Sequence, residues 1–214
     1  MNFMQLRERQ PKFPVTVKTG EGVVELIWNK IEYADGYRVF ASPVGKNHFV
    51  GVINVKGTTA VMKKRANGVP MQYKVKAFRI ADGPDNFFGE SEIVIACPLE
   101  TPRRLTAIVG SDGICTLSWR YNSQCDGFKI YADSNESGKY SFVCYSGKNS
   151  CRLDSFTKSG KVTFVVRSFI MTGHMEKLGV SSAPAEAVLP KSKGTKAVQF
   201  DHSMIRKTAG DYNA

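Results

Sequence analysis

The sequence predicts an all-β chain of two tandem, seven-stranded β-sandwiches with an extension at each end. The first observation is a repeated phrase: residues 28–40 (WNKIEYADGYRVF) return as residues 119–131 (WRYNSQCDGFKIY). The two phrases are 91 residues apart, and the same spacing separates Tyr73 from its counterpart Phe164. The two copies therefore have loops of nearly equal length. The second observation is length, because 214 residues suit two domains of ordinary size.

Within each copy, apolar residues alternate with polar ones. The first copy has Leu26-x-Trp28 and Tyr73-x-Val75, and the second has Phe164-x-Val166 at the matching place. A period of two predicts strands with one face toward a core. Turn residues such as Asp82-Gly83-Pro84 interrupt these runs, as an antiparallel sandwich requires. We therefore expect seven strands in each copy.

The repeated Asp-Gly pair is predicted to turn the chain from the second strand to the third. On this interpretation Gly36 and Gly127 adopt positive φ, which glycine does at small cost. Trp28 and Trp119 each stand in phase with an inward leucine two residues earlier. That phase favours core packing for both tryptophans over a role as exposed platforms for sugars.

Near the end of each copy the spacing shortens to 90 residues. Gly89 then matches Gly179 and Ser91 matches Ser181, which predicts a one-residue deletion in the last hairpin of the second copy. The resulting domains are residues 13–98 and 99–190. Outside them lie an N-terminal extension, residues 1–12, and a basic C-terminal tail, residues 191–214.

These residues resemble the fibronectin type III family of immunoglobulin-like sandwiches over residues 13–190. The matches are Trp28, Tyr37-Arg38-Val39, Tyr73-Lys74-Val75-Lys76-Ala77 and Phe88-Gly89-Glu90-Ser91. The second copy departs by placing Phe164 where the family has the tyrosine of its corner, and phenylalanine lacks the hydroxyl. The phrase at residues 34–37 (ADGY) resembles bacterial surface-protein and phage-borne members of the family.

The sequence offers little for catalysis. His48, His174 and His202 fall in the first copy, the second copy and the tail. The spacings typical of zinc sites, nucleophile elbows and phosphate loops do not occur. We therefore expect a protein that is not an enzyme and has no cofactor, metal site or small-molecule substrate. A carbohydrate ligand stays open, although no residue pattern supports one.

Five cysteines are present, and no two of them are 91 residues apart. This argues against a disulfide framework inherited by both copies. Cys115 alternates with core residues and is expected to be a small buried apolar group. Cys144 and Cys151 flank a short loop and could meet in an oxidising environment; whether they pair stays open.

The first residues (MNFMQLRER) mix charged and apolar side chains. Because they contain no apolar run, we expect neither a secretory signal nor a membrane span. The expected site of synthesis is the cytoplasm, where thiols stay reduced, with later incorporation into a virion or another large assembly.

The net charge of +11 is unevenly distributed. Residues 1–18 carry four basic and one acidic residue, and residues 190–214 carry five and two, so the ends hold more than half of the excess. The densest basic run, Lys63-Lys64-Arg65, precedes a turn and is expected to be a solvated loop. The ends lack basic runs interleaved with aromatics, which argues against a nucleic-acid partner.

The tail contains a pattern typical of a short helix. Asp201 can cap it, with Phe200 before and Ile205 after as a hydrophobic staple. Two turns of helix do not persist alone in water, so the segment should dock on a protein surface. The predicted contact consists of the residues Phe200, Met204, Ile205, Arg206 and Lys207.

Two function hypotheses follow from the sequence. The first is a non-enzymatic structural or adaptor protein of a multi-subunit assembly, with a phage virion component (tail, neck or capsid decoration) as the leading example. It would bind protein partners through its termini and loops. The alternative is a bacterial surface or secreted accessory module for adhesion or carbohydrate-associated binding.

Overall fold

A computed structural model describes residues 12–83, 86–154 and 159–190. The chain divides into two compact units after Pro98, here called unit 1 and unit 2. In the described ranges the regular structure is strand, apart from a 3-10 helix at Ile80–Asp82. The predicted all-β class is confirmed.

Unit 1 contains strands β1 to β8 in two antiparallel sheets. The first sheet has the order β1-β2-β5, and the second has the order β4-β3-β6-β7, with β8 also paired to β6. The strands are β1 (Val15–Gly20), β2 (Val23–Trp28), β3 (Gly36–Pro43), β4 (Val50–Val55), β5 (Thr59–Met62), β6 (Met71–Phe78), β7 (Phe87–Glu90) and β8 (Val94–Ala96).

Unit 2 repeats this plan with strands β9 to β16. Its sheets have the orders β9-β10-β13 and β12-β11-β14-β15, with β16 also paired to β14. The strands are β9 (Arg103–Val109), β10 (Cys115–Arg120), β11 (Gly127–Asp133), β12 (Ser141–Ser146), β13 (Ser150–Leu153), β14 (Gly160–Thr172), β15 (Met175–Leu178) and β16 (Ala185–Leu189).

The strand order defines the fold of each unit. A three-stranded sheet faces a five-stranded sheet, and the core draws on both, for example on Leu26 of β2 and Val39 of β3. Since β7 and β8 both pair with β6, and β15 and β16 both pair with β14, we count each such pair as one interrupted strand and call the larger sheet the four-stranded sheet. The registers also correspond: Leu26 lies opposite Ala60 in unit 1, and Leu117 lies opposite Cys151 in unit 2. The predicted pair of fibronectin type III sandwiches is thereby confirmed.

The seventh strand of each sandwich is interrupted, which the sequence did not predict. At the break in unit 1, Ser91 exchanges two hydrogen bonds of 2.8 Å with the backbone of Val75, donating its N–H and accepting at its hydroxyl. Ser182 exchanges the equivalent bonds with Val166, at 2.9 and 3.0 Å. The expected match of Ser91 to Ser181 is therefore wrong. The predicted deletion in the hairpin loop is also wrong: Phe87 pairs with Phe78 and Leu178 pairs with Phe169, so the loops are equally long. Unit 2 instead lacks the β-bulge that follows Phe87, and an extra residue before Ser182 restores the spacing.

The Asp-Gly pair begins the third strand instead of forming the turn before it. The turn lies earlier, where Ala34 N–H donates to the Ile31 carbonyl at 3.2 Å. Asp35 ties the strand to the end of β6: its N–H donates to Phe78 O at 3.0 Å, and its carboxylate accepts from Ile80 N–H at 2.8 Å. Asp126 makes the same two bonds in unit 2, to Phe169 O and from Met171 N–H.

The predicted positive φ is wrong for Gly36, which has no positive φ. Gly127 has a positive φ of 159°, which is close to extended backbone. The constraint is space, because a Cβ on Gly36 would lie 2.6 Å from the Phe78 ring and one on Gly127 would lie 3.0 Å from the Phe169 ring. Glycine is needed where the aromatic ring of the neighbouring strand crosses the backbone.

The two tryptophans are core residues, as predicted. Trp28 is 4 % exposed and meets Tyr37 edge to face at 5.3 Å between ring centroids. Trp119 is 5 % exposed and meets Phe128 in the same way at 5.1 Å. Neither indole N–H has a hydrogen-bond acceptor within the described residues. Both tryptophans therefore act through packing.

The basic run after β5 is not uniformly solvated. Lys63 and Lys64 are exposed, as expected, but Arg65 is half-buried. Its N–H donates to Gly22 O at 2.9 Å, and its guanidinium hydrogen-bonds to the Tyr73 hydroxyl. Burial raises the pKa of Tyr73, and Arg65 partly offsets this effect. Phe164, which occupies the equivalent position in unit 2, offers no such hydroxyl.

Replacing Trp28 by alanine should lower the free energy of unfolding of unit 1 by about 3–5 kcal/mol through the cavity that it leaves. Trp119→Ala should act equally on unit 2. Differential scanning calorimetry should show two transitions, with only one of them shifted by each variant. Trp28→Phe should cost less than Trp28→Ala because the indole N–H has no hydrogen-bond partner among the described residues. Equal loss in both transitions would refute independent cores.

Changing Gly36 to alanine should destabilise unit 1 by about 1–3 kcal/mol, since the new Cβ collides with the Phe78 ring. The matched control is the same change in a Phe78→Leu background, where the ring is absent and most of the cost should disappear. Urea unfolding of the four proteins in this double-mutant cycle measures the coupling. A cost that stays the same without the ring would show that backbone conformation, not space, requires the glycine.

Candidate interaction surface on the four-stranded sheets

The outward side of the four-stranded sheet in unit 1 carries cations and aromatic rings. Because side chains alternate along a strand, the residues between the buried positions of β3 and β6 face away from the core. Together with Phe87 of β7, these residues form the unit 1 outer face, whose members are Arg38, Phe40, Lys74, Lys76 and Phe87.

Two of the three cations of the unit 1 outer face, Arg38 and Lys76, lie over its rings. Phe40 and Phe87 meet edge to face at 5.5 Å between centroids. Lys76 Nζ is 5.5 Å from the Phe40 centroid and 5.4 Å from that of Phe87, and the Arg38 guanidinium is 5.5 Å from Phe87. Such cation–π contacts hold long side chains in place and keep their charge at the surface.

One carboxylate, Glu90, is placed among these cations. It lies 3.3 Å from Lys74 Nζ and 3.0 Å from Lys76 Nζ. Burial tends to raise the pKa of Glu90, but hydrogen bonds and charge from Lys76 and Lys74 outweigh burial and lower it. With Glu90 included, the face still carries two more positive than negative side chains, so it is complementary to an acidic surface.

The matching surface of unit 2, the unit 2 outer face, is more aromatic. Its members are Lys129, Tyr131, Phe142, Tyr145 and Phe169. Phe142 lies 4.9 Å from Tyr145 and 5.9 Å from Tyr131, and Tyr145 lies 5.7 Å from Phe169, all between ring centroids. Phe142 is 48 % exposed. Phe142, with the partly exposed Tyr131 and Tyr145, offers an apolar surface that other molecules can reach, whereas Phe169 is buried.

Lys129 sits over the rings of the unit 2 outer face. Its Nζ is 5.1 Å from the Tyr145 centroid and 5.7 Å from that of Phe142, and it forms a 2.6 Å ion pair with Glu176. Burial tends to lower the pKa of Lys129, but Glu176 and the Tyr145 hydroxyl outweigh burial and raise it. The lysine is therefore charged at neutral pH.

The two outer faces share a pattern that a comparison of the copies could have revealed. Arg38-x-Phe40 on β3 and Lys129-x-Tyr131 on β11 are 91 residues apart and occupy the same register. In both units a cation is followed, two residues later, by an outward aromatic ring. Sequence reasoning assigned the aromatics near the repeated phrase to the core and overlooked the outward set.

The other predicted site residues are placed as follows. The tail segment with Phe200, Met204, Ile205, Arg206 and Lys207 lies outside the described residues, so its predicted contact stays a prediction. His48 and His174 are exposed on different units. Within the described ranges, His, Cys, Asp and Glu side chains form no group of three that could hold a metal ion.

In the same ranges, none of the helical structure is long and apolar enough to cross a membrane.

Comparisons with known proteins found similar solved structures. No protein-family model and no curated protein matches the chain. The FN1-FN3 domains of chicken CNTN1, a contactin, are 19 % identical over 85 % of this chain and 68 % of that one, with a TM-score of 0.37. A two-domain fibronectin type III segment of chicken tenascin is 15 % identical over 82 % and 96 %, with a TM-score of 0.46. Assignment of the fold rests on strand order and register.

Glu90 should make the stability of unit 1 depend on pH. Its pKa is lowered from 4.5, so its contribution to stability is fully present above that value and is lost as pH falls through the lower folded-state pKa. The gap in melting temperature between the wild type and Glu90→Gln should therefore narrow in acid. Calorimetry of both proteins from neutral to acidic pH measures the gap. A difference in melting temperature that does not change with pH would contradict the lowered folded-state pKa of Glu90.

Proposed function

We propose that the chain is a non-enzymatic structural or adaptor protein that binds protein partners in a large assembly, with a phage virion component (tail, neck or capsid decoration) as the leading example. The fold is compatible with a non-enzymatic structural or adaptor module. The phage example is supported by the resemblance of residues 34–37 (ADGY) to phage-borne members of the family.

The observation that carries the adaptor proposal is the repeated cation and aromatic pair on the outer faces. Aromatic side chains and arginine are enriched in protein interfaces, where rings supply buried area and cations supply orientation. The excess of positive side chains on the unit 1 outer face, and the net charge of +11, favour an acidic protein surface as the occupant. Half-buried rings held by cations are also ordered in advance, which lowers the entropic cost of binding.

The tail is proposed as a second attachment point. Phe200, Met204 and Ile205 would supply an apolar anchor, with Arg206 and Lys207 as a basic rim. Burial of each apolar side chain contributes about 1.5–3 kcal/mol, but ordering of the segment costs about 1–2 kcal/mol per residue. The tail alone would therefore bind weakly, and the outer face or repeated copies in a particle would add the rest.

A second candidate, a bacterial surface or secreted module that binds carbohydrate, is favoured by the unit 2 outer face. Exposed rings such as Phe142 can stack on sugars. Binding to an immobilised glycan set that is lost in Phe142→Ala, without co-purification with structural proteins, would favour this alternative over the adaptor.

The adaptor proposal predicts the effect of neutralising the unit 1 outer face. Arg38→Gln with Lys76→Gln should weaken association with the native assembly by roughly tenfold or more, about 1.4 kcal/mol. The matched control is Lys18→Gln with Lys56→Gln, which removes the same charge from exposed positions elsewhere in unit 1. Occupancy is measured by mass spectrometry of particles purified from the native source, and calorimetry checks that each variant folds.

Deletion of residues 191–214 distinguishes the contribution of the tail to occupancy from that of the unit 1 outer face. If both contribute, the truncated protein and the outer-face variant should each lose occupancy, and the combination should lose most of it. High salt should weaken the contact of the outer face more than the apolar contact of the tail. Wild-type occupancy of both variants, or absence of the protein from every purified particle, would refute the proposal.

A further inference from the structure

Cys144 and Cys151 meet at one edge of the unit 2 sandwich. Cys144 lies on β12, the edge strand of the four-stranded sheet, and Cys151 lies on β13, the edge strand of the three-stranded sheet. Their Sγ atoms are 3.2 Å apart, and both side chains are half-buried against the core. A disulfide needs about 2.05 Å between its sulfurs, so a shift of about 1 Å would join the two sheets.

The short connection between these strands holds the two thiols together. Ser146 Oγ donates to Ser150 O at 2.6 Å and accepts from Lys148 N–H at 3.1 Å. Asn149 Nδ2 donates to Tyr121 O at 3.1 Å, and Trp119 N–H donates to Asn149 O at 3.0 Å. The loop is tied both within itself and to the end of β10, so the approach of the sulfurs does not require refolding.

Unit 1 has the same backbone positions without thiols. Ile53 lies opposite Val39, as Cys144 lies opposite Ile130, 91 residues further on. Ala60 lies opposite Leu26, as Cys151 lies opposite Leu117. Unit 1 therefore forms the same sandwich with an isoleucine and an alanine at the positions of the two cysteines. The dithiol of unit 2 is an addition that the fold itself does not need.

We propose that Cys144 and Cys151 are an oxidation site. A small-molecule disulfide such as glutathione disulfide oxidises the two thiols to a disulfide bond that links the two sheets of unit 2. In a reducing solution the pair stays as two thiols. In an oxidising solution the bond ties the open edge of the unit 2 sandwich. This inference is independent of the proposed partner.

The reaction balances as two thiol–disulfide exchanges. The Cys151 thiolate attacks one sulfur of glutathione disulfide and releases one glutathione thiolate, which leaves a mixed disulfide on Cys151. Cys144 then loses its proton, attacks the Cys151 sulfur and releases the second glutathione. Two cysteine thiols are oxidised, and one glutathione disulfide is reduced to two glutathione thiols.

The surroundings favour Cys151 as the attacking thiol. The hydrogen bond between the two sulfurs lowers the pKa of Cys151 despite burial and raises the pKa of Cys144. Burial raises the pKa of Cys125 and of Cys115, so both react more slowly. Cys97 is 2 % exposed and is shielded from oxidants.

The test is oxidation of the full chain with glutathione disulfide. Intact mass spectrometry should show the loss of two hydrogen atoms without retained glutathione, and peptide mapping should link Cys144 to Cys151. The calorimetric transition of unit 2 should rise by about 5–10 °C on oxidation, because the bond restricts the unfolded chain, and should return with a reducing agent. The transition of unit 1 should not move.

The matched control replaces the pair with the residues of unit 1, Cys144→Ile with Cys151→Ala. It should fold as the reduced wild type does and show no response to oxidant. Cys144→Ser should instead retain one glutathione on Cys151. A linkage to another cysteine, a wild type that gains glutathione without an internal bond, or an equal rise in melting temperature in the control would overturn the proposal.

Discussion

The pairing of the third strand with the sixth is the constraint on which each sandwich depends. In unit 1, β3 and β6 are antiparallel partners, from Gly36 opposite Phe78 to Pro43 opposite Met71. This ladder places the buried positions of both strands toward the three-stranded sheet and the residues between them outward. One register therefore decides both the core and the candidate interaction surface, and a slip by one residue would exchange the two faces.

The repeated phrase secures this register at its start. The aspartate caps the end of the sixth strand through two hydrogen bonds, and the glycine after it leaves room for the ring of Phe78 or Phe169. These contacts explain why the Asp-Gly pair recurs in both copies when the loop before it differs. Within this frame the outer faces have diverged: unit 1 keeps more cations, and unit 2 keeps more exposed rings.

Oxidation of Cys144 and Cys151 would act on strands of unit 2 that lie outside the pairing of the third strand with the sixth. β12 and β13 are edge strands of different sheets, joined by a short loop, so a bond between Cys144 and Cys151 would replace packing by a covalent link at an open edge. The same edge carries Phe142 of the unit 2 outer face, on the strand that holds Cys144. Oxidation of Cys144 and binding at the unit 2 outer face would then both involve β12.

The sequence by itself determined the class of fold, the duplication and the burial of Trp28 and Trp119, because period-two alternation and a constant spacing are local signals. It did not determine the role of Gly36, the equivalence of Ser91 and Ser182, or the bond from Arg65 to Tyr73. Those depend on side chains from strands distant in sequence. The outward set and the approach of Cys144 to Cys151 likewise required tertiary structure, since only packing brings together residues on different strands and sheets.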